Sequence, residues 1–284
     1  MLRPEFTVVR TVTLANGVRL ELAEKGPRGG TPVVMLHGIT DSRRSFDPIW
    51  DHLPADWHAI AVSQRGHGDS DKRATQYSTV DFAGDIALLA DLYDLAPMVV
   101  VGHSMGSSVA LQLAADRPDL VRAVVGIGTF ASYGSKAALR AYRDGDLEAL
   151  QDPVPDAIAR EFQLSTLAAP IDAALLEVFV RESRKVPARV WRAAFDGLLA
   201  DGFCAGIPTI AAPVLLAWGD ADAYVPRGDQ DLLRSTLPKS QLLIYEHVGH
   251  ALHWEQPLRF ANDLADFVAA LSASDRARSG PIAA

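Results

Sequence analysis

The sequence of 284 residues has a single cysteine, Cys204, so no internal disulfide can form. That suits a reducing compartment, and the thiol is expected to serve as a small buried hydrophobe. No uninterrupted apolar run approaches the roughly 18 residues of a spanning helix. The opening MLRPEFTVVRTVTL follows its basic residue with no apolar stretch of the secretory-signal kind. Basic charge is not in excess either: 27 Lys and Arg stand against 35 Asp and Glu, a formal net charge of -8. A nucleic-acid surface built on bulk electrostatics is thereby excluded. These absences leave the expectation of a cytoplasmic enzyme or small-molecule-binding protein, with neither nucleic acid nor membrane as partner.

What is present is a globular composition, 49% hydrophobic and 22% charged, at a length that buries a substantial core. Thr7 to Leu14 and Val18 to Glu24 alternate around Ala15-Asn16-Gly17, where Asn-Gly is expected to supply the positive φ angles of a tight hairpin. After Gly26-Pro27-Arg28-Gly29-Gly30 the pattern changes to short apolar runs: PVVML (32–36), HAIAV (58–62), MVVV (98–101), VRAVVGI (121–127), PVLLAW (213–218) and QLLIYE (241–246). Continuous runs of this kind suit parallel strands covered on both faces. Helical periodicity lies between them, over Asp81 to Leu95 with a start signal at Ser78 or Thr79, over Ser107 to Asp116, over Asp229 to Thr236 and over Gln256 to Leu271. Alternating strands and helices predict a wound parallel sheet.

One interval breaks the rhythm. Between Ile127 and Pro213 no convincing strand appears, a gap far longer than an ordinary connection, and amphipathic pieces fill it: Ser135 to Tyr142, Pro155 to Leu167, Ile171 to Ser183 and Pro187 to Ala200. The expected organisation is a core of residues 1–128 and 212–275, a helical lid inserted at 129–211, and a flexible tail at 276–284.

The chemistry is concentrated at the strand ends. Gly102-His103-Ser104-Met105-Gly106 follows MVVV and opens the helix SSVALQLAAD. This is the strand-turn-helix setting in which Gly-x-Ser-x-Gly exposes a nucleophilic serine. The two glycines lack the Cβ atoms that would collide where strand and helix cross. A serine nucleophile needs a general base and a group that orients it. The loop after QLLIYE offers His247, His250 and His253, of which His250 is placed to hang over the strand ends, with His253 as the alternative. Three histidines at that spacing also raise a metal site, but they fall across a loop and lack an HExxH pattern or a cysteine partner, so neither metal nor other cofactor is expected. After VRAVVGI the chain reads Gly128-Thr129-Phe130 with no carboxylate. After PVLLAW come Asp220 and Asp222.

Through His37-Gly38-Ile39, SQRGHGDS, GHSMG, WGDADAYVP and VGHALHWEQP, in that order, nearly the whole chain resembles the α/β-hydrolase superfamily. The resemblance implies a mostly parallel eight-stranded sheet with an antiparallel N-terminal strand, flanking helices and an inserted helical lid. The family's Gly-His-(x4)-Glu-x-Pro ending matches Gly249, His250, Glu255 and Pro257 and selects His250. Its Gly-x-x-Asp pattern selects Asp222, leaving Asp220 to hold the turn. The catalytic set implied is Ser104, Asp222 and His250, with backbone N–H groups of Ile39 and Met105 as the oxyanion hole. In Arg65-Gly66-His67-Gly68-Asp69-Ser70, Arg65 and Asp69 are expected to brace a turn beside the oxyanion loop, and His103 is expected to stand behind the site.

A dehalogenase or epoxide hydrolase would carry an aspartate where Ser104 stands, because its covalent intermediate must be an ester that water can cleave. Acyl chemistry on a small or medium apolar ester or lactone is therefore expected. A perhydrolase, a C–C bond hydrolase, an acyltransferase or a non-enzymatic receptor on the same scaffold are the other readings. The substrate pocket is expected to draw on Phe130, Tyr133 and Tyr224 after strand ends, and from the lid on Trp191 and Phe195, with Phe162, Leu175, Phe179 and Leu198 as further lid candidates.

Overall fold

A computed structural model describes residues 7–200 and 209–278, the side chains of 274–278 excepted. The first half of the chain runs β1 (Val8–Thr13), β2 (Arg19–Lys25), β3 (Thr31–Leu36), α1 (Asp47–Trp50), β4 (Trp57–Ser63), α2 (Thr79–Tyr93), β5 (Met98–His103), α3 (Met105–Asp116) and β6 (Val121–Ile127). Then come four α-helices, α4 (Ala137–Tyr142), which runs on into a π-helical turn (Arg143–Leu147), α5 (Asp156–Ser165), α6 (Ala173–Arg184) and α7 (Ala188–Ala200). The chain ends with β7 (Val214–Gly219), α8 (Arg227–Thr236), β8 (Ser240–Tyr245), α9 (Leu252–Glu255) and α10 (Pro257–Arg278). All eight strands join one sheet in the order β1-β2-β4-β3-β5-β6-β7-β8. β2 is antiparallel to both of its neighbours, and every pairing from β4 across to β8 is parallel.

The apolar runs are strands because both faces of the sheet are covered. Along β3, Val34 and Leu36 enter one core while Val33 and Met35 enter the other. The same alternation separates Met98 and Val100 from Val99 and Val101 on β5, and Val214 and Leu216 from Leu215 and Ala217 on β7. Each such valine, leucine or methionine contributes about 1.5–3 kcal/mol through its removal from water, so a one-residue slip of register would exchange the two cores wholesale.

The N-terminal hairpin differs from expectation in its turn. Gly17 has φ +76°, but Asn16 is not in the left-handed region. The Leu14 N–H donates to the Val18 carbonyl and the Gly17 N–H to the Leu14 carbonyl, a three-residue loop closed by a left-handed glycine. The Asn16 side chain accepts from the Val18 N–H at 3.0 Å, so the asparagine acts through its oxygen and the glycine alone takes the positive φ. α2 begins with a reciprocal cap, Ser78 accepting from the Asp81 N–H while the Asp81 carboxylate accepts from that of Ser78.

The interval from Ile127 to Pro213 holds α4 to α7 and, among the described residues, no strand. Cys204 lies outside the described residues, as do 279–284. Of the expected tail, 276–278 instead complete the last turn of α10.

Since β3, β5, β6, β7 and β8 are parallel, their carboxyl ends share one edge of the sheet. β4 lies to one side of β3 while β5 and its successors lie to the other, and the crevice at such a reversal is where open α/β sheets hold ligands. The loops carrying Ile39, Ser104, Asp222 and His250 all leave from this edge.

Candidate active site

Ser104 follows β5 directly, at φ +51° and ψ -114°, in the N-cap position of α3, and its side chain makes no capping hydrogen bond. A non-glycine residue held there stores about 1–3 kcal/mol of strain. The turn is fixed by the Ser104 N–H donating to the Ile127 carbonyl at 2.9 Å and by the Ser107 N–H donating to the Ser104 carbonyl at 2.9 Å. The flanking glycines are sterically required. A Cβ on Gly102 would sit 2.2 Å from the Gly106 carbonyl oxygen, and one on Gly106 would sit 2.1 Å from that of Leu36. Gly106→Ala is accordingly expected to destabilise the fold by about 3 kcal/mol through overpacking against backbone that cannot move aside. Urea unfolding measures this, and a change below about 1 kcal/mol would mean that α3 shifts freely.

The His250 Nδ1 is 2.7 Å from Asp222 Oδ2, and Asp222 Oδ1 accepts from the Tyr224 and Val225 N–H groups at 2.8 and 3.0 Å. With Asp222 on Nδ1 as acceptor, the Nδ1–H tautomer follows and Nε2 carries the lone pair. Burial by itself would raise the Asp222 carboxyl; the charge and hydrogen bond of His250 and the two backbone amides outweigh it and hold the carboxyl below its ordinary range. The His250 ring lies over Gly128, where a Cβ would come within 2.7 Å of Nδ1, so the end of β6 has no room for a side chain. Asp220 is turned away, accepting from the His247 N–H. His253 is buried with Nε2 bonded to Ser45 Oγ at 3.1 Å, which removes it as a base. No Ser104–His250 hydrogen bond forms among the described residues, although both line one cavity.

The Met105 and Ile39 amides have no acceptor among the described residues, the first at the N-terminus of α3 and the second on the loop after β3. That loop is held from below. His37 Nδ1 donates to the Gly38 carbonyl at 2.7 Å and its Nε2 accepts from the Gln64 N–H at 2.9 Å, which places the RGHGDS turn beside it. The bracing of that turn differs from expectation. Arg65 forks onto buried Asp85 of α2 with two contacts of 2.6 Å, whereas Asp69 faces solvent and pairs with Lys185 at 3.0 Å. Asp85 meets the guanidinium in the fork geometry a carboxylate offers, and helical spacing alone gave no sign of it.

A cavity of about 830 Å³ opens over these groups. Phe130, Tyr133, Phe195 and Tyr224 line it, with Phe162 and Leu198. Trp191 does not: it is 1% exposed and meets Phe162 edge-on from the core side of α7. Leu175 and Phe179 are also absent from the lining, Phe179 being stacked on Trp254 at 4.1 Å. His103 stands on the cavity wall rather than behind it, its ring 4.9 Å from that of His250. Asp41, Tyr142, Glu161 and Thr166 line it as well, and no motif in the sequence marks them.

His37, His67, His103 and His253 are buried, and burial holds each imidazole below its ordinary value, His67 at about 4. In the unfolded chain each returns to near 6.5. Below that pH the unfolded chain binds protons that the folded chain does not, so stability decreases as pH falls through the window from 6.5 towards 4. For His67 alone the expected loss between pH 7 and pH 5 is about 2 kcal/mol. Urea midpoints that stay constant over that range would contradict it.

The family described as alpha/beta hydrolase fold matches residues 31–257. A 2-(acetamidomethylene)succinate hydrolase of Mesorhizobium japonicum is 41% identical over 124 residues, a match spanning 44% of this chain and 44% of that relative. A putative 2-succinyl-6-hydroxy-2,4-cyclohexadiene-1-carboxylate synthase of Bacillus subtilis is 27% identical over 92% of this chain and 98% of its own length. Among solved structures, the esterase RhEst1 from a Rhodococcus species superposes with a TM-score of 0.82 at 25% identity, covering 93% of this chain and 99% of that one. Because the family match runs from β3 to the first residue of α10, taking in all six parallel strands, the loops that follow them and the whole helical interval, the chain belongs to the alpha/beta hydrolase fold family.

Proposed function

We propose that the protein is a serine hydrolase that cleaves a carboxylic ester or lactone of a small to medium, mainly apolar substrate through an acyl-enzyme. One observation carries the reading: a strained, uncapped Ser104 shares a cavity with His250, whose far nitrogen is tied to buried Asp222 at 2.7 Å. Such an arrangement lets His250 Nε2 take the Ser104 proton as Oγ attacks the carbonyl carbon. The imidazolium that forms is stabilised by Asp222, and the oxyanion is received by the Ile39 and Met105 amides, the latter aided by the positive end of α3. His250 then protonates the departing alcohol, and a water deprotonated by the same nitrogen releases the acid.

The lining supports an uncharged substrate. Lys136 is the one Lys or Arg among the described lining residues, and Asp229 already neutralises it at 2.7 Å. A dicarboxylate such as the one named for the Mesorhizobium relative would meet Asp41, Asp146 and Glu161 with no spare counter-charge of that kind. The proposal includes residues 129–211 as a lid on a core of 1–128 and 212–275, since the outer lining from Tyr133 to Leu198 comes from that interval. A panel of neutral esters and lactones of graded acyl length, with products identified by mass, tests the reading. Turnover is expected on short and medium acyl chains, and inertness towards the whole panel would sink it.

A further inference from the structure

Four loops carry the proposed catalytic groups, each leaving a different strand. One short piece of the helical interval is bonded to three of them, those of Ile39, Asp222 and His250. From the structure we infer that residues 163–169, the end of α5 and the turn after it, are part of the catalytic framework, with Gln163 a positioning residue for the oxyanion loop. The inference rests on the roles proposed above for Ser104, His250 and Ile39.

At the oxyanion loop, fully buried Gln163 donates from Nε2 to Asp41 Oδ1 at 2.9 Å and to Ser183 Oγ of α6 at 2.6 Å. Ser183 Oγ lies 3.3 Å from Thr40 Oγ1. At the base loop, the Ala251 N–H donates to the Thr166 carbonyl at 3.1 Å. Glu255 joins the two sides: its Oε1 accepts from Gly249 and Ala168 N–H at 2.9 and 3.1 Å, and its Oε2 accepts from Ala169 N–H at 3.0 Å. At the acid loop, Ser165 and Tyr224 are hydrogen-bonded through their hydroxyls, two residues from Asp222.

The oxyanion loop needs an outside hold. Thr40, immediately after Ile39, is buried at φ +70°, a conformation that a β-branched residue keeps only where its surroundings over-determine it. Thr40 and Asp41 meet that hold at Gln163 and Ser183, both from outside the sheet. The side-chain oxygen of Gln163 has no partner among the described residues. Reversing the amide would set that oxygen against the Asp41 carboxylate, so the hydrogen-bond network assigns its orientation. A buried amide whose oxygen is left unsatisfied while its N–H groups are bonded to Asp41 and Ser183 points to a use for those N–H groups. Glu255 gains a reason too: the motif glutamate after His250 ties the base loop to the same segment.

The test measures hydrolysis of p-nitrophenyl butyrate, per serine titrated with a fluorophosphonate, and inhibition by phenylboronic acid, whose tetrahedral adduct on Ser104 sends an oxygen to the oxyanion position. Gln163→Met keeps length and packing while removing the donors. It is expected to lower kcat about 10²-fold, the scale of an ångström of misplacement, with KM within about threefold and boronate affinity weakened by the same factor as kcat. Glu255→Gln, at the other end of the segment, is expected to lower kcat about tenfold with KM again held, and it decides the matter if Gln163→Met folds poorly. Unchanged kcat and boronate affinity in both variants, beside an inactive Ser104→Ala, would overturn the inference while leaving the proposed function standing. Losses in kcat with boronate affinity unmoved would likewise overturn it, as the mark of a purely structural role. An active Ser104→Ala would instead remove the reading beneath it.

Discussion

Ser104→Ala is expected to lower kcat on a short p-nitrophenyl ester by a factor on the order of 10⁶, with the fold intact. The size follows from the way a nucleophile and its base act as a unit: with no oxygen to attack, His250 has no proton to take, and the acyl-enzyme route is closed. What remains is the background that binding and the oxyanion donors provide. The fold should tolerate the change because Ser104 holds its turn through its backbone N–H and carbonyl rather than through its side chain. Alanine at φ +51° carries much the same strain as serine. Initial rates and fluorophosphonate labelling followed by mass spectrometry make the measurement. Wild-type-like turnover with loss of labelling would end the proposed mechanism and favour a different nucleophile.

Asp222→Asn is expected to cost about 10⁴ in kcat, again without loss of fold. Asp222 accepts on three sides, from His250 and from the Tyr224 and Val225 N–H groups. An asparagine can still accept the two backbone bonds through its oxygen, and this turns its NH₂ towards His250 Nδ1. That donor forces the proton of the imidazole onto Nε2, the nitrogen that has to be empty to take the Ser104 proton. Asp220→Asn is the companion measurement: Asp220 holds the His247 turn, so its loss should be small. A near-normal rate in Asp222→Asn with a collapse in Asp220→Asn would exchange their roles.

Much of this arrangement is legible in the chain because it depends on residue types that few other contexts demand. Apolar β-branched runs mark strands covered on both sides, and Gly-His-Ser-Met-Gly after such a run marks a turn where only glycine fits beside a close helix crossing. The strand runs and most helical periods match the observed elements to within a few residues, while α10 runs seven residues past the expected end at Leu271 and the one-turn helices α1 and α9 carry no period long enough to be seen. The turn at Asn16-Gly17 was less legible, because a two-residue and a three-residue hairpin share the same dipeptide and differ only in where the strands begin to pair. Trp191 shows the limit for pockets. An amphipathic helix announces that it has a buried face, but whether that face meets a cavity or another helix depends on the neighbour across from it.

The bracing of the RGHGDS turn has the same origin. Arg65 has a carboxylate four residues away in the sequence, yet its partner is Asp85, twenty residues on, because α2 brings that side chain against the turn at 2.6 Å. Gln163 carries no motif at all. It gains meaning only when α5 is laid over the strand ends and its amide meets Asp41.

By itself, then, the sequence determined the sheet, the order of its elements and the identity of the residues whose chemistry is unusual for their place: a serine on a glycine-flanked turn, a histidine after the last strand, a carboxylate after the strand before it. These follow from local rules, namely the period of burial, the sterics of glycine and the chemistry of side chains at strand ends. The tertiary structure alone decided which aromatics line the cavity, that Asp85 rather than Asp69 holds Arg65, and that one segment of the helical interval bonds to three of the four site loops. Those outcomes depend on contacts between residues far apart in the chain, and a contact has no signature until the two surfaces are brought together.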